Sequence, residues 1–269
     1  MDRLRRLAVL ALKLLLAPAL IAAATYATRR WGLRIGGLIA TLPAAAGPIL
    51  LVLAIQEGAA FAADAARSAL LGIVALNAFI LVYCLVCRRV GWFGSLLIGW
   101  AAFFVVIVPL REVEPSSWLA LAIAFVANTV TLVTVWRMSI DEPVPTPDPP
   151  SWDIPARALS AVAMIVVITG LAAALGPDLT GLLTPFPIIA SILAAFTHAS
   201  AGGDATIALT RAFGVGLYSF AVFFFVLAET LVDSGVGVGF TIAIVTTLIV
   251  QVVAFGLYTG SGKPLPEID

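Results

Sequence analysis

The chain has 269 residues, of which 62% are hydrophobic and 11% charged, with a mean hydropathy of +1.11. A water-soluble domain carries about 25% charged residues, so this composition excludes a surface solvated mainly by water. Fifteen bases balance fifteen acids, which leaves no net field to gather nucleic acid and excludes it as an expected partner.

A helix crosses roughly 30 Å of hydrocarbon with about 20 apolar residues. Nine runs meet that length: 7–28, 34–56, 60–87, 92–110, 117–136, 156–175, 179–199, 205–230 and 236–258. They are apolar all round rather than alternating, which predicts helices and not a barrel. The expected fold is therefore an all-α polytopic membrane protein with about nine transmembrane helices and the lipid bilayer as its solvent. The first run follows Arg3, Arg5 and Arg6 and resembles a signal peptide. Its length and the eight runs behind it favour a retained span. Between the fifth and sixth runs, residues 138–155 hold five prolines from Pro143 to Pro150, which predicts an extended, solvated linker.

Sliding the chain by 144 residues superimposes Gly37 on Gly181, Leu38 on Leu182, Pro43 on Pro187, Ala46 on Ala190 and Gly58 on Gly202. Arg67 then meets Arg211, Gly72 meets Gly216, Phe79 meets Phe223 and Val82 meets Val226. An arginine rarely aligns by chance inside two apolar runs. The expected organisation is a four-helix repeat over 1–111, a linking transmembrane helix with its Pro-rich loop over 112–155, and a second four-helix repeat over 156–269. Five crossings separate the repeat starts. An odd number reverses direction, so the two copies are expected to be inverted, as in many secondary transporters. One side carries Arg29, Arg30, Arg34, Arg88, Arg89, Arg137, Arg157 and Lys263, the other Arg3, Arg5, Arg6 and Arg111. The basic excess predicts an outside N-terminus and a cytoplasmic C-terminus in the cell (inner) membrane.

In the second copy, Gly181 to Pro187, the Gly202–Gly203 turn, Ala208 to Arg211 and Gly214 to Tyr218 resemble the small GlpM/YdgC membrane proteins. The first copy repeats the pattern through Gly37 to Pro43 and Gly58, with Leu42 before the proline and Glu57 at the turn as departures. Those proteins are single four-helix units, and YdgC-like members are associated with dual topology. The resemblance implies a fused pair of units that would otherwise assemble as an antiparallel dimer. The chain would thus be a monomer with an internal pseudo-dimer, or a homo-oligomer of it.

A charge at the bilayer centre costs on the order of 2.5–3.5 kcal/mol on insertion scales. Arg67 lies ten residues beyond Glu57, about half a membrane along a helix, and Arg211 holds the matching place. A dyad in the membrane plane is expected to bring them together at mid-depth, where two guanidiniums would hold an anion. The alternative is internal pairing, Asp64 with Arg67 and Asp204 with Arg211. Glu57, Asp64, His198 and Asp204 are candidates for proton coupling, or else polar helix ends touching water. Pro43 and Pro187 are expected to kink their helices, and Gly72 and Gly216 to let helices pack closely. No sequence feature calls for a metal or a cofactor. Cys84 and Cys87 lack a second ligand pair, and Gly235–Gly239 and Gly260–Pro264 lack the context of a nucleotide loop. No catalytic constellation emerges, so the chain reads as a non-enzyme. The function expected is a secondary transporter of a small or lipid-linked anion, with proton coupling as one mode. The competing expectations are a channel or lipid scramblase, and an accessory subunit of a cell-envelope polymer export system.

Overall fold

The computed structural model describes residues 18–43, 46–110, 112–140, 152–175 and 186–260. These residues are helical, with no strand among them. Helix α1 covers 18–31, followed by α2 (Leu33–Ala40), α3 (Ala46–Gln56), α4 (Ala59–Val86), α5 (Trp92–Leu110), α6 (Ser117–Arg137) and α7 (Asp153–Leu175). The last helical run, Ile188–Gly260, is broken by non-helical backbone at Gly202 and Gly235. Its limbs are α8 (188–201), α9 (203–234) and α10 (236–260). The Pro-rich stretch 141–151 lies outside the described residues.

Single glycines make four of the helix hairpins. Gly32, Gly58, Gly202 and Gly235 have φ of 87°, 99°, 82° and 76°, with ψ near 180° at each. That region is open almost only to glycine, so the chain reverses in one residue where any side chain would strain it.

Four helical runs are long and apolar enough to cross a membrane: Ala59–Val86, Trp92–Leu110, Ser117–Arg137 and Ile188–Tyr258. Only 28% of the most apolar window of α5, and the same share for α6, is covered by protein. Val105, Val126, Val130, Val252 and Leu257 are all more than half exposed. So much bare apolar surface is at odds with water and consistent with lipid.

The expected spans 60–87, 92–110 and 117–136 are α4, α5 and α6 to within a few residues. The expected span 34–56 is not one helix. It divides into α2 and α3 of 8 and 11 residues, about 12 and 16 Å long, and neither crosses a membrane alone. Between them Thr41 and Leu42 donate to carbonyls three residues back, and Pro43 has no N–H to continue the ladder. Pro43 thus separates two helices and does not kink one. Pro187 also lies outside a helix interior. It immediately precedes α8, and its carbonyl accepts from the Ser191 N–H, a placement where a missing N–H costs nothing.

Helices α4 and α9 form the antiparallel centre. At one end the Cys87 thiol reaches the Gly203 carbonyl and Arg88 holds Asp204 at 2.7 Å. At the other, Ala62, Ala66 and Leu70 pack into one cluster with Phe224, Leu227 and Leu231. Helix α6 runs beside both, antiparallel to α9: Trp118 meets Phe225, Thr129 bonds Tyr218, and Arg211 reaches the Val135 carbonyl. Helix α2 lies parallel to α9, and a Cβ on Gly37 would sit 2.7 Å from the Leu209 carbonyl oxygen.

Candidate functional site

The α4–α9 contacts set a register in which Arg67 is level with residue 223 and Arg211 with residue 79. Twelve residues of helix, about 18 Å, therefore separate the two arginines along the axis. Arg67 and Arg211 do not form the facing pair expected from the repeat. Each finds its own partners. Arg67 bonds Asp64 at 2.6 Å, one turn back on the same helix. Arg211 has alanine at the corresponding place, Ala208. It turns instead to the C-terminus of α6, donating to the carbonyls of Val135, Trp136 and Met138 with its guanidinium 5.7 Å from the Trp136 ring centre. Those carbonyls lie at the negative end of the α6 dipole, and the Val135 carbonyl also accepts from the Met138 N–H. Asp204, the partner considered for Arg211, goes to Arg88. No carboxylate neutralises Arg211 among the described residues.

The coupling candidates divide between the two ends. Exposed Glu57 and Asp64 stand at the Gly58 end of α4. At the other end Tyr83 Oη lies 3.1 Å from His198 Nδ1, and the Cys87 carbonyl also bonds the ring. A neutral imidazole satisfies both, accepting from the phenol and donating to the carbonyl. Just beyond α4, burial pushes the Cys87 thiol up to about 11, with Arg88 pulling the other way. Gly216 is a close approach: an added Cβ would stand 1.9 Å from Thr41 Oγ1. Gly72 is buried within α4.

No family model, characterised protein or solved structure matches the chain.

Sequence reasoning overlooked a buried polar layer where α4, α6 and α9 meet. Asn77 and Asn128 are the only asparagines in the chain, exposed by just 1% and 2%. Asn128 Nδ2 donates to the Gly214 carbonyl at 2.9 Å, and Asn77 Nδ2 to that of Ile73 at 2.9 Å. Both Oδ1 atoms lack a partner. They share a seam and a level. Cys84, Val135 and Arg211 meet near the top of the α4–α6–α9 groove. Two turns down, seven residues back along α4 and α6, stand Asn77 and Asn128. Around α9 at similar depth, Trp100 donates to Ser191 at 2.9 Å. Gln251 accepts from Ser219 and donates to the Leu38 carbonyl. A cavity of about 20 Å³ lined by Tyr83, Thr210 and Phe213 adjoins, large enough for one water. The signal was available: two asparagines inside otherwise apolar runs. No cluster of metal-ligating side chains occurs among the described residues.

Proposed function

We propose that the chain is a secondary transporter of a small or lipid-linked anion, built from two inverted four-helix units that alternate access across the α4–α9 interface. The recurrence of helix ends at one offset carries this reading. Helix α4 begins at Ala59 and α9 at 203, while α5 begins at Trp92 and α10 at 236. Each pair differs by 144, and Gly58 and Gly202 turn with the same backbone. Counterpart helices α4 and α9 pack antiparallel, as an axis in the membrane plane requires. Helix α6 has no counterpart and acts as the strap between units, in keeping with the fused pair that the GlpM/YdgC resemblance implies.

The charges favour an orientation in the cell membrane. Among the described residues, Arg29, Arg30, Arg34, Arg88, Arg89, Arg137 and Arg157 gather at one end, while Glu57, Asp64, Glu112, Glu114, Glu229 and Asp233 stand at the other. The basic end is cytoplasmic under the positive-inside rule, which puts the C-terminal end of α10 inside.

Because Asp64 answers Arg67 and, among the described residues, no carboxylate forms an ion pair with Arg211, Arg211 selects the sign of the solute. The polar layer around Asn77 and Asn128 supplies its path at mid-depth, where unsatisfied groups are costly unless used. The test is counterflow of an anion panel in proteoliposomes. Arg211→Gln abolishes saturable anion flux, and Arg67→Gln leaves most of it. Flux unaffected by Arg211→Gln overturns the assignment.

A further inference from the structure

We propose that the basic end carries a binding site for the headgroup of an anionic phospholipid, formed by Arg34 and Arg137 beside the Trp136–Tyr258 ring pair. The proposal rests on the membrane reading above. It begins from a local count of charge. Among the described residues, this end holds two acids, and both are already taken. Asp153 lies 2.8 Å from Arg29 and 3.0 Å from Arg157, and Asp204 lies 2.7 Å from Arg88. Arg30, Arg34, Arg89 and Arg137 are exposed and have no carboxylate within ion-pair distance among the described residues.

One of these unanswered arginines, Arg34, contacts an aromatic pair, and another, Arg137, directly follows that pair's tryptophan in the chain. Trp136 of α6 and Tyr258 of α10 meet edge to face at 5.9 Å. Arg34 of α2 lies over the Tyr258 ring at 5.7 Å, and Arg211 lies over the Trp136 ring at 5.7 Å. Arg211 spends its donors on the α6 carbonyls, whereas among the described residues the forks of Arg34 and Arg137 meet no hydrogen-bond acceptor. Tryptophan and tyrosine settle at the headgroup level of a bilayer, and a guanidinium fork matches a phosphate in bidentate geometry. More rings crowd the same end: Tyr26, Trp31, Trp92 and Trp152 are all at least 45% exposed. The opposite end, rich in acid, repels the same headgroup. The lipid is therefore taken from the leaflet that the basic end faces, where anionic lipid enriches basic segments by about fivefold per arginine.

The experiment uses the full-length protein, delipidated in neutral detergent. It is titrated with phosphatidylglycerol, phosphatidylcholine or inorganic phosphate, and bound lipid is read by native mass spectrometry. The expected result is retention of phosphatidylglycerol over phosphatidylcholine, with no displacement by millimolar phosphate. Arg34→Gln with Arg137→Gln weakens retention by about 25-fold from the same per-arginine factor, and Arg67→Gln at the other end changes nothing. Equal retention of the two lipids, displacement by phosphate, or an equal loss in Arg67→Gln overturns the site. Should the double variant misfold, the wild type still decides: retention that does not weaken with rising salt also overturns it. Flotation with purely zwitterionic vesicles tests the membrane reading separately. A protein that floats there but shows no lipid preference refutes the headgroup site alone.

Discussion

Replacing Gly216 by alanine drives a methyl group into Thr41. The new Cβ would stand 1.9 Å from Thr41 Oγ1, 2.9 Å from its Cβ and 3.1 Å from its Cγ2. Thr41 is 2% exposed, and its hydroxyl donates to the Leu38 carbonyl at 2.7 Å, so rotation away breaks a buried bond. Overpacking of this kind costs about 1–3 kcal/mol. Alanine itself favours a helix interior over glycine by about 0.8–1 kcal/mol, so Gly216→Ala is expected to destabilise by about 1 kcal/mol net. Thr41→Ala removes Oγ1 and Cγ2 but leaves the Cβ. In that background the penalty shrinks to near the alanine gain, and Gly216→Ala becomes roughly neutral. The two substitutions thus couple by about 1 kcal/mol. The assay is a double-mutant cycle by reversible unfolding in mixed micelles. An equal effect of Gly216→Ala in both backgrounds refutes the close approach of α2 to α9.

Asn128→Leu removes one hydrogen bond, worth about 0.6 kcal/mol between membrane helices, together with a buried oxygen that lacks a partner. The melting temperature is expected to hold or rise while proteoliposome flux falls; a variant that unfolds with flux per folded molecule intact contradicts a functional polar layer. With its thiol held near 11, Cys87 is about a thousandth thiolate at pH 8, so maleimide labelling of the folded protein stays slow there and quickens only as pH approaches 11. Since the folded state disfavours the thiolate, this group's contribution to stability is full below the unfolded thiol value of about 8.5 and is lost as pH rises from there through the folded value of about 11. Rapid labelling at pH 7 would show that Cys87 is not buried against Gly203.

The long apolar helices were legible because length and hydropathy alone define them, and α4 to α6 begin and end where composition changes. The hinges at Gly58 and Gly202 were legible as glycine turns, since only glycine readily tolerates their φ. The pairing of Asp64 with Arg67 was legible through its spacing of three residues. The destination of Arg211 was not. Its partners come from α6, some 75 residues earlier in the chain, so no local spacing reaches them. The division of 34–56 into α2 and α3 was also hidden. Pro43 announces a disturbance, but the sequence does not show whether a helix bends or stops there; in the structure the bonds at Thr41 and Leu42 tighten to three residues back and α2 stops. The polar layer around Asn77 and Asn128 escaped for a different reason: neutral amides carry no charge to mark them, although burying one unsatisfied is costly too.

The central claim is that two units lie upside down relative to each other, which puts their matching hinges on opposite sides of the membrane. Glu57 precedes the Gly58 hinge and Ser200 the Gly202 hinge, and both are exposed. Glu57→Cys and Ser200→Cys, made separately with the buried native cysteines kept, are labelled in intact cells by a membrane-impermeant maleimide. The account predicts that the residue 57 variant labels from outside and the residue 200 variant labels only after permeabilisation. Labelling of both from the same side would contradict it.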